Sequence, residues 1–212
     1  LVMLLGLAVI DAQAATIWTD WESASTSGSA TGTLGGVGVS YAGEVAGSII
    51  NGTSNIWAPD SSFTGGTVTT SPSVVKDDIR LDGAAGTNTL TFSAPVQNPV
   101  FAIWSLGQPG LAASFNFDAT PTLQAGGPNS IFNGGPITVL GNVVSGNEGN
   151  GVVQFSGTFS SISWTDTPEH FYAFTVGMNG PLGPPTAVPE PATLILLGSG
   201  LTGLAWRLRK QR

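Results

Sequence analysis

The sequence predicts an all-β fold, an antiparallel β-sandwich or jelly-roll-like body, with an apolar helix before it and a short apolar helix after it. Three observations carry this. Residues 16–178 break into short runs rich in β-branched and aromatic residues, separated by Gly, Pro, Asn and Ser. Apolar and polar residues alternate in Leu90-Thr91-Phe92-Ser93 and in Val153-Gln154-Phe155-Ser156, which is the period of a half-buried strand. No amphipathic stretch of three helical turns intervenes, so strand follows strand as in a sandwich rather than a βαβ fold.

Residues 1–10 are an unbroken apolar run, followed by Asp11 and then Ala12-Gln13-Ala14-Ala15. This is the apolar core and small-x-small cleavage site of a secretory signal. Passage through the secretion translocon and cutting by signal peptidase after Ala14 are expected, with Ala12 and Ala14 as the recognised small residues. No Met or basic region precedes the run, so the sequence is expected to lack its first few residues.

The body is expected over residues 15–178. Its opening stretch, 19–38, is rich in Ser, Thr, Gly and Ala and reads as a flexible entry or an edge strand. Strands are predicted at 32–41, 74–81, 87–93, 100–106, 112–118, 137–140, 151–156, 159–165 and 171–177. Pro95 and Pro99 bracket a turn before the central strand that begins at Val100, and Ser156-Gly157-Thr158 reads as a hairpin connection. Residues 179–188, rich in Pro and Gly, form a linker that extends by about 3 Å per residue.

Composition narrows the chemistry. The chain has 212 residues, a net charge of −7, no cysteine and one histidine. Absence of cysteine excludes a disulfide scaffold, Cys-ligated zinc, iron–sulfur clusters and thiol catalysis. The body holds eleven acidic residues against Lys76 and Arg80, a balance of −9. Such a surface repels phosphate backbones, so no nucleic-acid partner is expected.

The basic residues collect instead at the other end. Pro189-Glu190-Pro191 precedes fifteen uncharged residues, 192–206, ending in Trp206; Arg207, Arg209, Lys210 and Arg212 follow. As a helix the run spans roughly 22 Å, short of the ~30 Å hydrocarbon core. An interfacial Trp and a basic flank are nevertheless the marks of a membrane anchor with its tail in the cytoplasm. The three parts, in this order, resemble the PEP-CTERM protein-sorting signal of Gram-negative bacteria, over residues 189–212. The resemblance implies recognition by an exosortase-type membrane protease or transpeptidase, with Pro189, Glu190 and Pro191 as processing-recognition residues. It also implies an inner-membrane precursor with a periplasmic body, then passage to the cell surface or the exopolysaccharide matrix. The body is more loosely similar to PEP-CTERM proteins of unassigned function, at 91–96, 98–107, 148–151 and 174–177, which implies a β-sandwich and no established activity.

Within the anchor, Gly198, Gly200 and Gly203 match G-x-G-x-x-G. A dinucleotide site would need a further helix, a strand and an acidic residue about 20 positions on. The nine residues that follow Gly203 include no acidic residue, and small residues here favour close helix packing instead.

The body offers few chemical motifs. His170 lies beside Glu169, yet no G-x-S-x-G nucleophile is present, and a locally bonded loop histidine is expected. No catalytic residue is assigned. Asp77, Asp78 and Asp82 surround Lys76 and Arg80 and are weak calcium candidates, without the spacing of an EF-hand. The segment from Asn147 to Gly151 is a second oxygen-rich stretch and reads as a turn. Trp104 and Trp164 fall in apolar strands and are expected in the core. Trp57, in a loop context, is the weak candidate for stacking on a sugar ring. The expected function is therefore that of an exported, non-catalytic surface or extracellular-matrix protein associated with exopolysaccharide. The alternatives are a glycan-acting hydrolase using body carboxylates and a calcium-dependent adhesion module. An exposed aromatic strip favours binding, paired carboxylates in a cleft favour hydrolysis, and convergent acids favour calcium.

Overall fold

The structure, a computed structural model, describes residues 14–83 and 86–180. The expected signal helix and the sorting segment lie outside the described residues. Sixteen strands make up the body: β1 (Thr16–Trp18), β2 (Asp20–Ser25), β3 (Ser29–Leu34), β4 (Val37–Ala42), β5 (Gly47–Ile49), β6 (Asp78–Leu81), β7 (Thr87–Gln97), β8 (Pro99–Leu106), β9 (Ala113–Phe117), β10 (Pro121–Gly126), β11 (Gly135–Pro136), β12 (Thr138–Leu140), β13 (Val143–Gly146), β14 (Gly149–Phe155), β15 (Thr158–Asp166) and β16 (Tyr172–Asn179). They form two sheets. One runs β10-β14-β8-β16-β6-β5, with β1 added to β16 and β11 to β14; the other runs β12-β13-β9-β15-β7-β4-β3-β2. Every pairing is antiparallel except β11 with β14.

The two sheets differ in what covers them. In β3 and β4 buried and exposed positions alternate, the signature of a sheet with one wet face. In β8 and β14 every residue is buried. Phe101, Ile103 and Leu106 of β8 face the inter-sheet core, whereas Val100, Ala102 and Trp104 face a second apolar layer on the outside. That layer is supplied by residues 50–77, whose Ile56, Trp57, Phe63 and Val68 lie over the sheet. The small side chains of Ala102 and Ala173 let this excursion approach closely.

Between the sheets the core is aromatic. Phe101 stacks on Phe174 at 5.1 Å between centroids and meets Trp164 edge-on at 5.1 Å and Phe117 at 5.3 Å. Tyr41 stacks on Trp164 at 5.8 Å. Such geometries add about 0.5–1.5 kcal/mol per pair beyond area burial.

Several connections differ from the sequence expectation. The run 32–41 is two strands, because Gly35 and Gly36, both at positive φ, close a two-residue hairpin that non-glycine residues disfavour. The stretch 19–38 thus supplies strands, with β2 at the sheet edge. Of the predicted strand 74–81 only Asp78–Leu81 is extended; Pro72–Val74 is a 3₁₀ turn capped by the Ser71 hydroxyl. Pro95 lies inside β7 rather than in a turn. It sits where the β7–β15 register slips between Thr91 and Val96, so its missing N–H removes no regular ladder bond.

The largest difference concerns residues 156–158. β14 and β15 belong to different sheets, so the connection is a crossing between layers and not a hairpin. The β7–β8 link crosses beside it. Asn98 N–H donates to the Gly157 carbonyl at 2.7 Å, and Gly157 N–H donates to Asn98 Oδ1 at 2.8 Å, locking the two crossings together.

Candidate functional site

The site begins with an irregularity in β8. Opposite it, the β14 register slips between Gly149 and Gly151, so that the single residue Asn150 faces both Trp104 and Ser105. Ser105 adopts φ 57°, a left-handed conformation uncommon outside glycine. Since Ile103 and Leu106 both point into the inter-sheet core, this bulge sets Trp104 and Ser105 side by side between them. Bulges commonly re-aim side chains in this way.

A buried polar chain grows from the bulge. Ser105 N–H donates to Asn150 Oδ1 at 2.9 Å, and Asn129 Nδ2 donates to the same oxygen at 3.0 Å. Asn150 Nδ2 in turn donates to the Glu148 carbonyl at 2.8 Å, and the Ser105 hydroxyl donates to the Glu148 carboxylate. Asn129 Oδ1 accepts from the N–H groups of Ile131 and Phe132 at 2.6 and 2.7 Å. The chain therefore ends by fixing a loop tip whose two apolar side chains, Ile131 and Phe132, are 45% and 46% exposed.

Phe132 completes a three-ring patch. Its centroid lies 5.4 Å from Trp104 and 6.3 Å from Phe171, and Trp104 and Phe171 are 5.6 Å apart. Trp104 is buried, and its Nε1 has no hydrogen-bond partner among the described residues. The Arg80 guanidinium lies 6.0 Å from the Phe171 centroid, within cation–π reach. Phe171, Arg80, Asp82 and His170 also line an adjoining cleft of about 240 Å³.

Asp82 lies in this cleft beside Phe171, and several acidic groups of the body have raised proton affinity. Burial pushes Glu169 up to about 7; the nearby Glu148 charge adds to the rise, against the backbone N–H of Gly107, which favours the charged form. One of its carboxylate oxygens, Oε2, is buried without a partner among the described residues. Burial also raises Asp82, reinforced by Glu44 and opposed by His170. Asp166 and Asp77 are raised as well, each chiefly by burial. Each of these groups holds its proton more tightly folded than unfolded. The stability this contributes is present below the unfolded values and is lost as pH rises through the folded ones. For Glu169 the window runs from 4.5 to about 7. The thermal midpoint is therefore expected to rise when pH is lowered from about 8 to about 5, and differential scanning calorimetry across that range checks it.

The residues singled out in the sequence fall in several places. Trp57 is not a stacking platform: it is 1% exposed, meets Phe63 edge-on at 5.3 Å, and donates from Nε1 to the Asp77 carbonyl at 2.9 Å. It anchors the 50–77 excursion to the sheet, since a large amphipathic ring gains more from a covered apolar face than from water. Trp104 and Trp164 are buried, as expected. Asp77 and Asp78 are not a solvated acidic edge. Asp77 accepts from Trp21 N–H at 3.0 Å and Gly52 N–H at 2.9 Å; Asp78 accepts from Ser54 Oγ at 2.6 Å and Arg80 Nε at 2.9 Å. Asp82 stands apart from them in the cleft, and among the described residues no three His, Asp or Glu side chains are placed to share a metal ion. Ala12, Pro189, Glu190, Pro191, Trp206, Arg207, Arg209, Lys210 and Arg212 lie outside the described residues. Ala14 is described, and its carbonyl accepts from Thr69 Oγ1 at 3.4 Å. Among the described residues no helix is long and apolar enough to cross a membrane.

Sequence reasoning missed Phe132, Ile131 and Asn129. Their signal was an apolar pair set in the polar segment Asn129-Ser130-Ile131-Phe132-Asn133-Gly134, since exposed apolar residues at a loop tip are more informative than buried ones.

Fold and site together describe an antiparallel sandwich that carries an aromatic and acidic surface cluster and continues into a separate C-terminal segment. A family model described as the PEP-CTERM protein-sorting motif matches that segment, at residues 187–210. The chain thus carries a PEP-CTERM protein-sorting motif. The motif marks a secreted protein, anchored in the membrane before processing and sorted by an exosortase, itself a membrane protein. Among curated proteins and among solved structures, nothing matches the chain.

Proposed function

We propose that the body is a non-catalytic glycan-binding module, delivered by its sorting motif to the cell surface or the extracellular polysaccharide matrix. The observation that carries this reading is the three-ring patch of Trp104, Phe132 and Phe171, with Phe132 46% exposed on a loop held by buried hydrogen bonds. The C–H face of a pyranose stacks on an aromatic ring, and its hydroxyls seek polar groups at the rim; Asp82 and Arg80, beside Phe171, supply these. A platform fixed before binding keeps the entropic cost of ordering low.

The test is retention of the full chain in native gels containing soluble polysaccharides: a neutral glucan, oligomers of glucosamine and N-acetylglucosamine, and a uronate polymer. At least one is expected to retard the protein. Phe132→Ala is expected to weaken that binding about tenfold, since a stacked ring contributes about 1 kcal/mol or more. Its unfolding midpoint should stay near wild type, because the side chain is half exposed. Retardation by none of the polymers, or equal retardation of the variant, overturns the reading.

One observation favours a hydrolytic alternative. Glu169, pushed up to about 7 chiefly by burial, holds a proton near neutral pH, and Glu148 acts on it as a second carboxyl group, the two-carboxyl set that glycoside hydrolysis uses. Release of reducing ends that disappears in Glu169→Gln would make the body an enzyme. Binding without such release keeps it a binding module.

A further inference from the structure

We propose that the glycan is cationic, an amino-sugar polymer bearing free ammonium groups, whose rings lie on Phe132 and Phe171 while its ammonium groups meet the Asp82 carboxylate of the adjoining cleft. This deepens the glycan-binding reading and rests on it.

The charge distribution points this way. The body carries eleven acids against two bases. Of the two bases, Arg80 lies at the site, but its charge is offset by Asp78 at 2.9 Å and its guanidinium already faces Phe171. Lys76 lies elsewhere, beside Trp57 and Ser54 in another cleft. Asp82 stands beside Phe171, where His170 favours its charged form and Glu44 opposes it, and Glu148 acts on Glu169; among the described residues no Lys or Arg forms an ion pair with Asp82, Glu148 or Glu169. A polyanionic chain would be repelled here, whereas an ammonium group is attracted to the carboxylates and to the faces of exposed rings.

Of three buried side-chain atoms without a partner among the described residues, Trp164 Nε1 lies in the inter-sheet core and the other two bear on this site. Trp104, 2% exposed and in ring contact with Phe132 and Phe171, holds its Nε1 donor without a partner among the described residues, and Glu169 Oε2 is an acceptor without a donor among them. Buried polar atoms are nearly always paired, so an unpaired donor and an unpaired acceptor near exposed rings call for a partner. A sugar that brings both hydroxyl acceptors and ammonium donors matches this pair; an uncharged hydrocarbon surface matches neither.

The experiment measures binding of the full chain to four probes at two salt concentrations: a glucosamine oligomer, its fully N-acetylated counterpart, a uronate oligomer and polylysine. Charge-assisted hydrogen bonds are stronger than neutral ones, so the glucosamine oligomer is expected to bind on the order of tenfold tighter than the N-acetylated one, and less tightly as salt rises. Phe132→Ala and Asp82→Asn should each weaken it, and Phe132→Tyr, which keeps the ring, should restore it. Unchanged thermal midpoints in the variants confirm that folding is retained. Equal or tighter binding of the N-acetylated or uronate oligomer, still sensitive to Phe132, overturns the cationic assignment and leaves the glycan reading standing. Polylysine binding as tightly as the glucosamine oligomer, insensitive to Phe132, reduces the effect to bulk charge and also overturns the assignment. No glycan bound at all overturns both.

Discussion

Phe101→Ala is expected to lower the stability of the body by about 3–5 kcal/mol, the range for removing a large aromatic from a packed core. Phe101 is fully buried and touches Phe115, Phe117, Trp164 and Phe174, so no neighbour can move into the space without breaking its own ring contacts. Its stacking partner Phe174 lies in the same sheet, whereas Phe115, Phe117 and Trp164 belong to the opposite one. The residue thus joins the layers, and its loss should loosen both. Urea denaturation of wild type and variant measures the effect. Val74→Ala, at a side chain 64% exposed, serves as the control and should change stability by less than about 0.5 kcal/mol.

Asn150→Ala is expected to cost about 2–4 kcal/mol and to remove glycan binding as well. The side chain is fully buried and accepts from Ser105 N–H and Asn129 Nδ2 while donating to the Glu148 carbonyl. Alanine leaves two buried donors unpaired, each at about 1–3 kcal/mol before relaxation. It also frees Asn129, whose Oδ1 holds the backbone of Ile131 and Phe132. Stability and ring placement are coupled through this one amide. Denaturation measures the first effect and protease cleavage within residues 127–135 the second.

How far the sequence reveals this molecule depends on the length scale of the signal. β8 and β16 were legible because a strand buried on both faces needs an unbroken apolar run, and Val100-Phe101-Ala102-Ile103-Trp104 is one. β1, β5, β11 and β13 were not, because two to four residues rich in Gly, Thr or Ser become strands only through the neighbour they pair with. The crossing at Gly157 shares its local chemistry with a hairpin turn, and only the partners of β14 and β15 separate the two cases. Trp57 failed as an exposed ring for a related reason: whether a loop lies over a sheet is decided by small residues far away in sequence, here Ala102 and Ala173. The site was legible in fragments. Trp104, Glu148 and Glu169 each drew notice on residue type, but the bulge that assembles them depends on a register slip between strands some 45 residues apart, at Ser105 and Asn150. The sorting motif was the clearest signal of all, because an address read by a membrane enzyme is written in consecutive residues.

The most direct test of the account, a folded cargo joined to a removable address, is intact mass of the protein recovered from the cell envelope and from the medium, for wild type and for Glu190→Ala. Wild type in the medium is expected to begin at Ala15 and to end near Pro189, and the variant to stay in the envelope with its chain intact through Arg212. Released wild type that still carries Trp206 and the basic tail, or a variant released as readily as wild type, would contradict it.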